Sequence, residues 1–227
     1  MPPVLLLTRP LAQSRHFAAQ AQDLPAHEVL VSPLSEVVAL PFDDSILNGA
    51  RGGSLTSANA LPFLPPLPAM PAWCVGPATT RAAAAAGFAA RDCGGDAAAM
   101  IALLREERQE GPLVHLHGAD LARDLAAEWP DLVRSVAVYK ARALPLSDTA
   151  RAALATRRVF APLFSPRAAR LFVEQAGAPP DLTCIAISPA CAAQLPRGWP
   201  VQVADRPDAG GMLRALAAAM SQPTPTG

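Results

Sequence analysis

Hydrophobic positions in this chain fall into short apolar runs, each followed by a small or polar turn and then by an alanine-rich stretch with helical spacing. VLLLTRPLAQSRHFAAQAQ shows this order from Val4, and LVHLHGADLARDLAAEW shows it from Leu113, with Gly118 in the turn and Asp120 available to cap. Pro77 stands where a further helix begins, a position at which a missing N–H costs nothing. Strands that alternate with helices predict βα units and parallel sheets covered on both faces.

An internal repeat indicates how many domains there are. Three strand-turn-helix elements occur in one order and then recur in the same order later in the chain. They are LTSANA from Leu55, CVGPATTRAAAAAGF from Cys74 and GGDAAAMIALLREE from Gly94, and then LFSPRAARLF from Leu163, CIAISPACAAQL from Cys184 and PDAGGMLRALAAAM from Pro207. A repeat of this kind predicts two similar doubly wound α/β domains.

The segments outside the two copies predict the path of the chain. The βα unit at 4–22 precedes the first copy and its counterpart from Leu113 follows that copy; each leads into a strand-like run. The chain is therefore expected to begin domain 1, cross to build domain 2, and cross back, which makes domain 1 discontinuous and gives a two-stranded hinge. The predicted bounds are 1–35 and 145–220 for domain 1, 36–144 for domain 2, 28–40 and 135–144 for the hinge strands, and 221–227 for a flexible tail.

Composition narrows the classes of function. Hydrophobic residues make up 51% of the chain and charged residues 17%, as in a globular protein. Lys and Arg together number 19, as do Asp and Glu, so there is no basic excess of the kind that nucleic-acid and membrane-surface binders carry. The apolar run at the N-terminus is too short for a signal peptide, and no stretch of about 18 apolar residues occurs. These features predict a cytoplasmic protein without nucleic-acid or membrane partners.

The four cysteines show no pattern of a disulfide framework or a metal site. Cys74, Cys93, Cys184 and Cys191 form no CxxC pair and no cluster with histidine, which predicts free buried thiols and no metal site.

A proline-rich stretch interrupts the pattern of helices. LPFLPPLPAMPAW, residues 61–73, has five prolines where a βαβ unit would have a helix. We expect an extended, polyproline-II-like crossing there, because proline disrupts a helix interior. A ligand for a proline-recognising partner is the less favoured alternative.

Six segments in series resemble uroporphyrinogen-III synthases: LLLTRP, LTSANA, CVGPATTRAAAAAGF, VAVYKA, LFSPRAARLF and AISPACAAQL. The resemblance covers nearly the whole chain. It implies a monomeric lyase of porphyrin and heme biosynthesis, with two α/β domains, a two-stranded hinge and an active site in the cleft between the domains. It also implies that the substrate is hydroxymethylbilane, a linear tetrapyrrole polycarboxylate. The enzyme would close it to uroporphyrinogen III, with loss of water and inversion of the terminal pyrrole ring, using no metal and no organic cofactor.

The resemblance implies a role for Tyr139, the only tyrosine of the chain. It places this residue at the hinge as the candidate proton donor to the departing hydroxyl. A phenol stays protonated at neutral pH and so remains a hydrogen-bond donor. The alternative is a half-buried strand aromatic that only covers the hinge.

Hydroxyl, glycine and arginine residues after the predicted strands are candidates to bind the substrate. Ligands of open α/β sheets bind at the carboxyl ends of strands, where free N–H groups and helix dipoles favour carboxylates. Arginine can also fork onto a carboxylate. For the hydroxyls the alternative is plain N-capping, and for the arginines it is an exposed position. The predicted substrate-binding residues are Arg9, Thr56, Ser57, Gly76, Thr79, Gly118, Ser165, Arg167 and Ser188, with Arg81 as a weaker candidate.

Two departures from the family pattern motivate an alternative function. His117 stands where the family pattern suggests arginine, although Arg123 one turn on could replace that contact. Ala190 and Cys191 follow the proline where threonines are usual, which leaves Ser188 as the remaining hydroxyl. The alternative is therefore a non-catalytic or weakened relative that acts as a small-molecule binding or regulatory module. A two-domain solute-binding protein is a further alternative, against which the missing signal peptide counts.

Overall fold

The computed structural model describes residues 1–67, 69–106, 111–121 and 123–222. The chain divides into two compact units: unit 1 comprises Met1–Glu36 and Arg142–Gly227, and unit 2 comprises Val37–Ala141.

Strands and helices alternate along the described residues. The strands are β1 (Val4–Leu7), β2 (Glu28–Val31), β3 (Ser35–Ala39), β4 (Gly52–Leu55), β5 (Pro71–Cys74), β6 (Ala89–Asp92), β7 (Leu113–Gly118), β8 (Val133–Ala143), β9 (Val159–Leu163), β10 (Leu182–Ala186) and β11 (Val201–Val203). The α-helices are α1 (Leu11–Gln20), α2 (Pro77–Ala85), α3 (Ala97–Glu106), α4 (Leu125–Glu128), α5 (Asp148–Thr156), α6 (Pro166–Ala176), α7 (Pro189–Ala192) and α8 (Ala209–Met220). Short 3₁₀ helices lie at Asp44–Leu47 and Ala58–Phe63.

Unit 1 is built on a parallel sheet with the strand order β2-β1-β9-β10-β11. Successive side chains of a strand point to opposite faces, so β1 contributes to two cores. Val4 and Leu6 pack in the core under α5, α6 and α7, whereas Leu5 and Leu7 pack in the core under α1 and α8. Both faces of this sheet are therefore covered by helices, as in a doubly wound fold.

Unit 2 repeats that arrangement in a different chain order. Its sheet runs β8-β7-β4-β5-β6, all neighbouring pairs of which are parallel, and β3 lies beside β8 at the edge. One face packs against α2 and the 3₁₀ helix Ala58–Phe63, and the other packs against α3 and α4. Strands β7 and β8 take the places that β1 and β2 have in unit 1, and β4 to β6 take those of β9 to β11. The prediction of two similar doubly wound parallel-sheet domains is confirmed.

The chain passes between the units in two neighbouring strands. The boundaries between unit 1 and unit 2 fall within β3 and within β8. The Leu40 N–H donates to the Val138 carbonyl at 3.0 Å, and the Leu144 N–H donates to the Leu34 carbonyl at 2.9 Å. In these two hydrogen bonds the higher residue number on the β3 side pairs with the lower one on the β8 side, so β3 and β8 run antiparallel.

Two segments differ from their predicted structure, and a third lies mostly outside the described residues. The predicted hinge strand at 28–40 forms two strands rather than one, because Pro33, between β2 and β3, offers no N–H to a ladder. The helix expected just after Gly118 begins only at Leu125, and Asp124 caps it instead of Asp120. The predicted tail at 221–227 lies outside the described residues from 223 onward.

The expectation of an extended path over residues 61–73 was wrong at its start. The 3₁₀ helix Ala58–Phe63 includes Pro62, and the Ser57 hydroxyl caps it by accepting a hydrogen bond from the Asn59 N–H at 3.2 Å. Proline is tolerated in so short a helix because little of the backbone ladder lies behind it. After this helix, the described residues up to Met70 form neither helix nor strand.

Two adjacent glycines in the first turn of α8 are expected to respond to alanine with opposite signs. A Cβ on Gly211 would lie 2.2 Å from the Arg206 carbonyl oxygen, a backbone atom, whereas a Cβ on Gly210 would have its nearest neighbours at 3.4 Å. Overpacking typically costs about 1–3 kcal/mol. Where there is room, replacing glycine by alanine in a helix gains up to about 1 kcal/mol. We expect chemical denaturation to give a lower free energy of unfolding for Gly211→Ala and an unchanged or higher one for Gly210→Ala. Equal stabilities would contradict this packing.

In the described parts of the chain, no helix combines the length and the apolar character that a membrane span requires.

Candidate functional site

The connections of each sheet diverge at one point, which is where ligands bind in open α/β folds. In unit 1 this point lies between β1 and β9, since α1 follows β1 on one face and α6 follows β9 on the other. In unit 2 it lies between β4 and β7, since the 3₁₀ helix follows β4 on one face and α4 follows β7 on the other. The predicted site residues lie at or next to the carboxyl ends of these strands and their neighbours.

Arg9 stands at the divergence point of unit 1, held by two contacts. Its guanidinium carbon lies 4.1 Å from the centroid of the Phe164 ring, which follows β9, and its Nε donates to Gln13 Oε1 at 3.1 Å. Burial lowers the pKa of the Arg9 guanidinium from its ordinary value. A cation–π contact and partial desolvation make this arginine a fixed charge for an anionic group. Phe164 was not predicted, although an aromatic residue directly after an apolar strand was a possible signal.

Ser165 and Ser188 lie at the carboxyl ends of β9 and β10 and both act as N-caps. The Ser165 hydroxyl accepts from the Ala168 N–H at 3.1 Å, and the Ser188 hydroxyl accepts from the Cys191 N–H at 3.3 Å. A capping hydroxyl uses an oxygen lone pair, so its own proton stays available for a second acceptor. Capping and carboxylate binding are therefore compatible at these positions.

The residues beside these two caps differ in what they offer. Arg167 is exposed in the first turn of α6, and Ala190 is exposed in α7. Cys191 is fully buried, and its Sγ lies 3.4 Å from the carbonyl oxygens of both Leu163 and Ser165, which share its single proton. Cys191 therefore ties the start of α7 to the end of β9.

In unit 2, the predicted residues after β4 and β5 divide into two groups. Thr56, Ser57 and Gly76 are half-buried at the strand ends, and Gly76 has a φ of 80° as the N-cap of α2. Thr79 is only 7% exposed and shares the buried face of α2 with Ala83. Thr80, which was not predicted, donates from its hydroxyl to the Gly76 carbonyl at 3.0 Å. Arg81 is exposed on α2.

Tyr139 lies beside the last residue of β7. Gly118 is its register partner, and the Ala119 N–H donates to the Tyr139 carbonyl at 2.8 Å. The phenol ring is half-buried and lies 6.4 Å from the ring of Phe63, with 28° between the ring planes. Among the described residues the Tyr139 hydroxyl has no hydrogen-bond partner, so its proton is available to a ligand. Phe63 was missed because it lies in the proline-rich stretch, which was interpreted only as a crossing.

His117, which stands where the family pattern suggests arginine, and Arg123, its suggested replacement, both form hydrogen bonds with neighbouring residues. His117 is 7% exposed, and its Nδ1 lies 2.7 Å from the Gly118 carbonyl oxygen. A carbonyl only accepts, so Nδ1 carries the proton. Arg123 is exposed and pairs with Glu128 through two hydrogen bonds, one of 2.9 Å and one shorter.

All four cysteines are buried, and none of them forms a disulfide. Burial raises the pKa of Cys74 to about 11 and that of Cys184 to about 12, so these two thiols stay protonated at neutral pH. A protonated thiol is a poor nucleophile and a poor metal ligand. In the residues that the structure describes, no group of three or more His, Cys, Asp or Glu side chains is placed to hold a metal ion.

Comparison with known proteins gives the family. A family model described as uroporphyrinogen-III synthase HemD matches residues 16–214. The chain belongs to the uroporphyrinogen-III synthase family. No curated protein matches the sequence.

Solved structures of uroporphyrinogen-III synthases share the fold. The enzyme from Helicobacter pylori has a TM-score of 0.65 at 16% identity, with 96% of this chain and 100% of that chain covered. A mutant enzyme from Thermus thermophilus has a TM-score of 0.55 at 18% identity, with 96% of this chain and 98% of that chain covered. These TM-scores support the two-domain α/β fold of the uroporphyrinogen-III synthase family. At identities this low, the structural likeness shows the fold alone, and the activity has to be argued from the site residues.

Proposed function

We propose that this family member is a uroporphyrinogen-III synthase that converts hydroxymethylbilane into uroporphyrinogen III. It would act in the cytoplasm as a monomer, without a metal or an organic cofactor. The observation that carries the proposal is the placement of Tyr139. The only phenol of the chain lies beside the carboxyl end of β7, and its hydroxyl has no partner among the described residues.

The first step of the reaction asks the protein for little more than a proton. The lone pair of the pyrrole nitrogen expels the hydroxyl group as the carbon–oxygen bond breaks, which gives an azafulvene cation. Protonation by Tyr139 would let the hydroxyl leave as water. General acid catalysis of this kind contributes about 10²-fold to 10⁴-fold. The substituted carbon of the terminal pyrrole attacks first and forms a spiro intermediate. Its bond to the old methylene bridge then breaks, and the unsubstituted carbon of the same ring bonds to that methylene. The unsubstituted carbon loses its proton in this last step, which balances the one given to water.

Positioning is the larger task, because attack at the substituted pyrrole carbon must outcompete simple ring closure. Holding the reacting carbons in the right geometry can supply several kcal/mol, roughly 7–11 kcal/mol in the best oriented systems. In unit 1, Arg9, Ser165 and Ser188 would bind substrate carboxylates: the arginine as a fixed cation, the serines through their remaining hydroxyl protons. Thr56, Ser57, Gly76 and Gly118 would contact the substrate in unit 2. Arg167, exposed next to Ser165, and the buried Thr79 are the weaker members of the set.

The direct test uses purified protein and freshly generated hydroxymethylbilane. We expect predominantly the type III isomer, separated from type I by chromatography. A product mixture identical to the spontaneous one would overturn the proposal.

A non-catalytic relative is the second candidate, and the surroundings of His117 favour it. The imidazole donates to the Gly118 carbonyl, and Arg123 is engaged by Glu128, so neither replaces an arginine contact to substrate. Such a protein would bind the tetrapyrrole without turning it over. Complementation of a strain that lacks the synthase separates the candidates, since only an active enzyme restores growth.

Substrate binding through Arg9 gives a further prediction. Arg9→Gln is expected to raise KM about tenfold with little change in kcat, because a hydrogen bond to a charged group contributes about 1.5–3 kcal/mol and this contact persists throughout the reaction. Arg15→Gln is the matched control, because Arg15 is an exposed arginine on α1, the helix that begins two residues after Arg9. Steady-state kinetics decide it: equal KM values for the two variants would remove Arg9 from the binding site.

A further inference from the structure

An irregularity in the sheet turns Tyr139 toward the site. His117 pairs with Ala137, but Gly118 pairs with Tyr139, so β8 has an extra residue, Val138, at this point. In a regular strand Val138 and Tyr139 would face opposite sides of the sheet. Here both pack against the same hydrophobic core, that of Leu55, Val114 and Leu116. An extra residue of this kind re-aims a side chain, and such bulges are common next to active sites.

The space for the phenol ring exists because residue 118 has no side chain. A Cβ on Gly118 would lie 2.7 Å from both Cε2 and Cζ of Tyr139 and 2.9 Å from its hydroxyl oxygen. The φ of Gly118 lies outside the left-handed region, so the backbone itself would accept alanine without strain. The requirement for glycine at this position comes from the Tyr139 ring.

His117 fixes the peptide that follows Gly118. Its Nδ1–H donates to the Gly118 carbonyl at 2.7 Å, and the next N–H, that of Ala119, donates to the Tyr139 carbonyl at 2.8 Å. The imidazole is itself packed, with its ring centroid 4.8 Å from that of the buried His115. One peptide unit is thus held by His117 on its oxygen and by Tyr139 on its nitrogen.

We propose that Gly118 and His117 are positioning residues for Tyr139, which hold the phenol in the direction from which it donates its proton. The inference rests on the proposed function for its effect on catalysis, and on the bulge for the geometry. It assigns His117 a role different from the anion contact that an arginine would make. In this role both residues affect the chemical step through Tyr139, and neither touches the reacting atoms; a contact between the Gly118 backbone and the substrate is compatible with it.

The experiment uses the fact that the chain has a single tyrosine. Protein labelled with ring-¹³C tyrosine gives one aromatic tyrosine environment in an NMR spectrum, and this readout needs no activity. We expect Gly118→Ala and His117→Ala to shift this signal and to lower kcat by about tenfold to 10²-fold, the cost of a misplaced catalytic group, with a much smaller change in KM. His117→Asn, whose amide N–H can replace Nδ1–H, should restore both.

Gly53→Ala is the matched control, because it also adds a methyl group to a buried strand glycine of this sheet. Its Cβ would have ordinary contacts, at 3.8 Å and beyond, none of them with Tyr139. We expect the tyrosine signal and kcat to stay as in the wild type. In the Tyr139→Phe background, His117→Ala should have no additional effect on kcat if it acts only through the hydroxyl.

The outcomes separate the positioning role from the proposed function. An unshifted tyrosine signal in both variants overturns the positioning role, whatever the activity. A shifted signal in a wild-type protein that makes no type III isomer leaves the positioning geometry intact and overturns the synthase activity. If Gly118→Ala does not fold, His117→Ala, which inserts no atom, supplies the same readout; an unchanged kcat with a shifted signal would contradict the catalytic part.

Discussion

Replacing Tyr139 by phenylalanine is expected to lower the kcat for hydroxymethylbilane cyclisation by about tenfold or more, within the range that general acid catalysis supplies. The variant removes one oxygen whose proton has no partner among the described residues, so the fold has no hydrogen bond there to lose. The ring that packs beside Phe63 and over Gly118 remains. KM is expected to change little, since the interaction strengthens as the hydroxyl departs.

Ser135→Ala is the matched control for this variant, because it deletes a hydroxyl from the same strand. The Ser135 hydroxyl lies near His115 and Asp124 and not near the phenol. The kcat of the Ser135→Ala variant should therefore equal that of the wild type. Thermal unfolding establishes that both variants are folded. A Tyr139→Phe enzyme with wild-type kcat would reduce the tyrosine to a strand aromatic that covers the core.

The second large effect concerns acid stability and arises from His115. This residue is fully buried on β7, and its Nε2 has no hydrogen-bond partner among the described residues. Burial, with a smaller contribution from the neighbouring His117, lowers the pKa of His115 from an ordinary 6.5 to about 4, and Asp124 partly opposes the shift. Ser135, on the adjacent strand, also faces the imidazole, with its Oγ 3.4 Å from Nδ1.

The direction of the pH dependence follows from which state binds the proton. Between pH 6.5 and about 4 the unfolded chain protonates this histidine and the folded chain does not. The contribution of the buried, unprotonated His115 to the free energy of unfolding is therefore fully present above pH 6.5 and is lost as the pH falls toward 4. Each unit of pKa difference corresponds to about 1.4 kcal/mol, so the loss is on the order of 3 kcal/mol.

The measurement is the free energy of unfolding in urea at pH 7 and at pH 4. We expect His115→Leu, which carries no titrating group, to lose on the order of 3 kcal/mol less than the wild type over this interval. Ser54→Ala is the control: Ser54 is a buried register neighbour of His115 whose hydroxyl is also unpaired among the described residues, and it does not titrate. Its pH dependence should match that of the wild type. A His115→Leu protein with the wild-type acid sensitivity would place the responsible group elsewhere.

Local sequence signals predicted which hydroxyl residues of the candidate site stand at the starts of helices. Ser57, Ser165 and Ser188 were chosen because they stand between a strand and a helix start, and each caps the helix that follows it. Capping depends on residues three positions apart or less, so it is encoded locally. The same local logic misplaced the start of α4, because Asp120 and Asp124 are equally good caps and packing of Leu125 selects between them.

Local sequence signals could not predict the side-chain contacts of Arg9, Tyr139 and His117 in the candidate site. Arg9 lies over Phe164, and Gly118 lies under Tyr139; each pair is distant in sequence and close only because neighbouring strands bring them together. The alternation in VAVYKA predicts a regular strand and gives no sign of the extra residue at Val138. His117 could be identified as a departure from the family pattern, but its hydrogen bond to the Gly118 carbonyl could not.

The sequence by itself determined that this chain forms two similar doubly wound units with capped helices after the strands, because hydrophobic periodicity and capping are properties of short segments and their repetition. Only the tertiary structure decided which way Tyr139 faces, which histidine is buried without a partner among the described residues and which arginine is held by an aromatic ring. These depend on register and close packing between strands, where a shift of one residue exchanges the two faces of a sheet.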